Sequence, residues 1–121
     1  MNIEKLLEDV GLDFKLIDEE KNIKIFKIPN KLLMCFISQK GNKFLFERDI
    51  FDYLNGNPLS YCLLLEDNLQ SKYYYIPLRK DVNWLKSCFE GCNKDCIFLG
   101  KQVLNSQISS DELKKTLKKY C

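Results

Sequence analysis

Several groups of residues in this chain have types and spacings that could do chemistry. Cys88, Cys92 and Cys96 stand with three residues between successive thiols, and Gly91 lies between the first two. With Cys121 or Cys62 as a fourth donor, such thiolates could hold Zn²⁺ in a tetrahedral site. Zinc pairs usually enclose two or four residues, however, and the chain offers neither a His nor a second pair. The expectation is therefore no bound metal: Cys88 packs from a helix, Cys92 is a loop thiol and Cys96 opens a strand. Cys35 in LLMCFI and Cys62 in YCLLL read as small buried hydrophobes. A disulfide framework is not expected, because MNIEKLLEDV carries acids where a secretory signal needs an apolar run.

The second group is an acidic and aromatic hairpin. Glu66 and Asp67 end one apolar run, and Tyr73, Tyr74 and Tyr75 fill the next. Consecutive tyrosines alternate faces in a strand, so at least one side is expected at solvent or at an interface, where Tyr is favoured. A Tyr-rich sheet edge could accept a partner strand, so these five residues are the first choice for a protein-binding surface. The third group is Lys114, Lys115, Lys118 and Lys119, which make the C-terminal segment basic. They could touch phosphate, but lysines on a terminal helix are usually a solvated face.

The elements that must position these groups follow from the apolar pattern. Ile3, Leu6, Leu7 and Val10 recur at helical spacing between a capping Asn2 and a terminating Gly11. DFKLID, NIKIFKIP and KLLMCFIS then read as a three-stranded meander, the last strand apolar on both faces and so central. Glu47 to Asn55 reads as a helix, SYCLLLE as a buried strand and SKYYYIPL as its hairpin partner. A helix from Asp81 through Phe89, a strand CIFLGKQVL and a final helix capped by Ser109 with Glu112 complete the order. The expected fold is α+β, in the order α-β-β-β-α-β-β-α-β-α, with a central mixed sheet flanked by helices and a single domain over residues 1–121.

Composition narrows the function classes. Basic residues number 19 and acidic residues 17, so the net charge is +2, without the footprint of a dedicated nucleic-acid binder. The absence of His removes Ser-His-Asp and Cys-His catalysis and the usual metal ligand. No apolar run approaches the ~18 residues of a membrane span, so a cytoplasmic protein is expected. The absence of Ala and the weight of Lys, Ile, Asn and Tyr read as the bias of a low-GC genome or one of its mobile elements.

The order α-β-β-β-α-β resembles the core of the PD-(D/E)XK restriction-endonuclease-like superfamily. Gly11-Leu12-Asp13-Phe14 looks like the GID stretch that carries a metal-binding Asp in small bacterial members. Phe36-Ile37-Ser38-Gln39-Lys40-Gly41 ends the third strand, where the family has its (E/Q)xK element. LSYCLLLED with YYYIPL is similar to the hairpin after the family's central helix. The resemblance implies a Mg²⁺-dependent nuclease site built on Asp13, Ser38 and Lys40, with Glu4 or Glu8 of the first helix as further acids. The chain departs from the pattern at one place. Ser38, not an acid, lies in register with Lys40, and Gln39 faces the other way unless a bulge turns it. A hydroxyl holds Mg²⁺ poorly, so the departure implies a degenerate, non-catalytic member.

The main functional expectation is thus a small non-enzymatic protein that binds and sterically blocks a protein partner, such as a phage or mobile-element inhibitor of a host defence system. It carries no cofactor, and it is a monomer or a homodimer. A Mg²⁺-dependent nuclease and a Cys-coordinated metal module are the alternatives, with nucleic acid as the partner of the former.

Overall fold

The computed structural model describes residues 2–20, 22–38, 43–45, 56–79, 89–90, 96–99 and 105–121. Helix α1 (Ile3–Val10) begins where Asn2 Oδ1 accepts from the Lys5 N–H, and ends at Gly11, whose φ of 76° suits glycine. Strands β1 (Lys15–Glu20), β2 (Ile23–Ile28) and β3 (Lys31–Ser38) form the expected antiparallel meander. β1 begins two residues later than the apolar pattern predicts, leaving Asp13 in the connection from α1. The chain then gives β4 (Lys43–Leu45), β5 (Ser60–Asp67) and β6 (Lys72–Arg79). Strands β7 (Phe89–Glu90), β8 (Cys96–Leu99) and β9 (Gln107–Ile108) follow. Helix α2 (Ser110–Lys118) closes the order, with Ser109 Oγ accepting from the Glu112 N–H.

Among the described residues the main sheet has six strands in the order β1-β2-β3-β5-β6-β9, and β4-β8-β7 form a smaller one. β3 and β5 run parallel, from Lys31 opposite Ser60 to Ser38 opposite Asp67; the other pairings of the main sheet are antiparallel. This mixed sheet with helices is the α+β class that the sequence implies. The helices expected over Glu47–Asn55 and from Asp81 lie outside the described residues, except that Phe89 stands in a strand. β4 and β9 are additions that three- and two-residue runs could not announce.

Register assigns the two faces. Phe26, Leu33, Cys35, Cys62, Leu64 and Tyr75 share one face and pack with Ile3, Leu6 and Leu7 of α1 and Leu113 and Leu117 of α2. The opposite face carries Leu32, Met34, Phe36, Tyr61, Leu63, Leu65, Tyr74 and Ile76, all buried. The helix-covered layer is closed at its rim by a hydrogen bond of 2.6 Å between the Tyr75 and Tyr120 hydroxyls. Lys31 Nζ lies 4.7 Å over the Tyr120 ring, so one basic side chain covers the apolar side of the same contact.

Removing one partner from a buried hydrogen bond costs more than removing both. Tyr120→Phe is expected to lower unfolding free energy by about 1–2 kcal/mol in urea titrations, and adding Tyr75→Phe to recover part of that loss. Simple additivity of the two losses would show that the pair carries no coupling.

Candidate functional site

Asp13 and Ser38 are not brought together. Lys15 is level with Lys27 of β2, which is level with Leu32 of β3. Ser38 lies six strand positions beyond Leu32, about 20 Å along the sheet at ~3.3 Å per residue. The reason is topological: a meander makes β1 parallel to β3, so the start of β1 meets the start of β3, not its end. Asp13 is exposed, whereas Ser38 is buried opposite Asp67. Lys40 lies outside the described residues, as do Cys88 and Cys92, and Cys96 is described only as the first residue of β8. Among the described residues no group of three potential metal-ligating side chains occurs.

The hairpin residues divide. Asp67 is buried, and its Oδ1 accepts from the N–H groups of Leu69 (3.1 Å) and Gln70 (3.2 Å), so it shapes the turn between β5 and β6. Tyr74 and Tyr75 are buried in opposite layers. Nor is β6 a sheet edge at the tyrosines, because Tyr73 and Tyr74 pair with Ile108 and Gln107 of β9. The expectation of a partner strand added there is corrected: a two-residue strand after a stretch without clear periodicity had already taken the place. Glu66 and Tyr73 remain half-buried, opposite each other on the helix-bearing face. The negative charge of Glu66 adds to burial in raising the Tyr73 pKa. Lys114, Lys115, Lys118 and Lys119 are all exposed around the C-terminal end of α2, where cations meet the negative end of the helix dipole.

Glu66 opens onto a cavity of about 270 Å³. Register explains its walls. Lys24, Cys35 and Leu64 form one row across β2, β3 and β5; Ile37 and Glu66 form the next. Asn2, Ile3 and Glu4 roof these rows at the start of α1, which runs away from Ile37 and Glu66. Ile37 and Glu66 are the penultimate residues of the two parallel strands, and the carboxyl ends of parallel strands are a recurrent place for ligands. Among these residues the sequence marks only Glu66 and Glu4 as candidates for chemistry; Lys24, Cys35 and Ile37 have no such role there, since their convergence comes from strand register.

The charged groups at this cavity are ordered. Lys24 Nζ donates to Glu4 Oε1 at 2.9 Å and lies 3.8 Å from Glu19 Oε1. The hydrogen bond lowers the Glu4 pKa and raises that of Lys24. Burial pushes the Cys35 thiol well above its usual range and the Cys62 thiol up to about 12, so neither is a thiolate nucleophile near neutrality. Cys62 Sγ donates to the Leu32 carbonyl at 3.5 Å.

No family model matches the chain, and neither a curated protein nor a solved structure matches it.

Two outcomes follow from this chemistry. The lowered Glu4 pKa gives stability that is present above 4.5, the ordinary value, and lost as pH falls through the folded value. The raised Lys24 pKa gives stability that is complete below 10.5 and lost as pH rises through the folded value. Lys24→Met is therefore expected to flatten both limbs of a urea-midpoint-against-pH curve, by about 0.2–1 kcal/mol for so accessible a pair. An unchanged acid limb would show the pair to be energetically idle. In native alkylation read by peptide mass spectrometry, exposed Cys121 is expected to react while Cys35 and Cys62 react only on unfolding.

Proposed function

We propose that the chain is a non-enzymatic binding protein that engages a protein partner and blocks it sterically. The observation that carries this reading is the cavity at the carboxyl ends of β3 and β5, with Glu66 in its wall and Tyr73 beside it. A concave site with an apolar floor and a few converging polar groups is the usual form of a recognition site. A half-buried Tyr next to a charged pocket is the kind of anchor that dominates interface energy. The groups at the site support binding over covalent chemistry: the Glu4 carboxylate and Lys24 ammonium are engaged with each other, and the Cys35 thiol is held protonated. The nuclease alternative draws no support from the placement of Asp13 and Ser38 at opposite ends of the sheet.

Blocking by coverage needs a rigid domain more than a reactive one, and central strands buried on both faces supply that rigidity. The coding bias of the sequence fits a mobile-element inhibitor of a host defence system, acting in the cytoplasm. The test is affinity capture of the tagged protein from a host lysate, with and without nuclease treatment. A stoichiometric protein that survives the treatment and is lost with Glu66→Lys is the expected result. Recovery of nucleic acid alone, or of proteins that the treatment releases, would overturn the reading.

A further inference from the structure

We infer that the cavity between α1 and the ends of β3 and β5 seats a neutral aliphatic side chain of the protein partner, a Leu, Ile or Met, packed on Cys35, Ile37 and Leu64. The inference rests on the reading above, of a protein that binds a protein partner, and names the chemistry the pocket recognises.

Three observations carry it. The first is that the charged groups described in the walls are already engaged. Lys24 Nζ donates to Glu4 Oε1 at 2.9 Å, and Glu66 is held in an interaction of its own. Asn2 is committed as well, since its Oδ1 accepts from the Lys5 N–H at 3.2 Å and caps α1. An incoming charge would shed its water for groups that already hold partners, which is a poor exchange. The second is that the surface the cavity leaves open is apolar. Leu64 and Cys35 form the floor at 4% and 5% exposure, and Ile37 is half-buried at the strand end. Burial keeps the Cys35 thiol protonated, so it meets a ligand as a small apolar group. Aliphatic surface gains from leaving water without needing any partner group, so apolar contact is what this floor offers. The third is size and place. About 270 Å³ lies just below the ~300–1,000 Å³ of sites for drug-sized ligands, and it takes one branched side chain. Tyr73 stands half-buried opposite Glu66 on the same face, so the mouth of the cavity continues into a surface that a protein can cover.

The experiment is an amide NMR titration of the full chain with Nα-acetyl-leucine amide, and with Nα-acetyl-lysine amide and Nα-acetyl-serine amide as the charged and the polar probe. The expected result is saturable shifts at Ile37, Leu64 and Glu66 with the leucine probe, an affinity that holds between ~50 and ~500 mM salt, and binding weaker by about tenfold for the other two. Cys35→Leu grows from the floor into the cavity. It is expected to weaken the leucine probe by about tenfold or more without lowering the thermal midpoint, and to lose the partner in capture from the lysate. Ile37→Ser, at the half-buried strand end, repeats both readings without adding volume, the probe weakening by about threefold. Equal or tighter binding of the lysine probe, or no saturable shift with the leucine probe, overturns the inference. So does capture of the partner by both variants as efficient as by wild type, which leaves the binding-protein reading standing. Binding of the leucine probe by a protein that captures no partner from the lysate overturns the assignment to a partner and makes a free apolar molecule the occupant.

Discussion

β3 and β5 lie side by side and parallel, with every position from Leu32 to Phe36 and from Tyr61 to Leu65 buried. Two such strands can be stable only if each has a hydrogen-bonded neighbour on its other side and apolar material over both faces. β2 and β6 supply the neighbours, and α1 with α2 supplies one of the coverings. Parallel pairing also requires the chain between Ser38 and Ser60 to return the whole length of the strand before β5 can begin. The positions of the hairpins, the helices and the cavity all follow from this pair.

Polar groups in the buried layers are used to fix geometry. The Asp67 carboxylate holds the turn that sends β6 back along β5, and the Asn68 N–H donates to the Ser38 carbonyl at 3.0 Å, tying that turn to the end of β3. Tyr75 and Tyr120 join the sheet to the residues after α2. Among the described residues no buried side-chain nitrogen or oxygen lacks a hydrogen-bond partner, as expected where an unmet group costs a good part of a domain's net stability. The cysteines at Cys35 and Cys62 join the apolar packing, and burial keeps their thiols protonated.

The sheet's two ends limit how the molecule can meet others. Among the described residues β1 has one hydrogen-bonded neighbour, but its pairing with β2 is interrupted by a bulge between Leu16 and Asp18, and Lys15, Asp18 and Glu19 are exposed along it. Bulges and charges of this kind discourage addition of a further strand. At the other end β9 covers the tyrosine half of β6. Recognition by side chains at the cavity is therefore better provided for than recognition by backbone pairing at an edge.

The sequence by itself determined the local elements whose physics is local. Asn2, Gly11 and Ser109 mark the helix ends because capping is a matter of a few neighbouring groups, and the two-sided apolar run from Leu32 to Phe36 marks a central strand because no other environment would tolerate it. The value of the candidate residues was not legible in the same way. Glu66 and Asp67 are adjacent acids, yet the pleat sends one to the cavity and the other into a turn. Asp13 and Ser38 read as one site, yet strand direction sets them at opposite ends of the sheet. Tyr73 to Tyr75 read as an edge until β9, too short to leave a periodic signal, paired with it. Lys24, Cys35 and Ile37 come from strands whose register is fixed only when the sheet forms, so the tertiary structure alone decided that they would face one cavity.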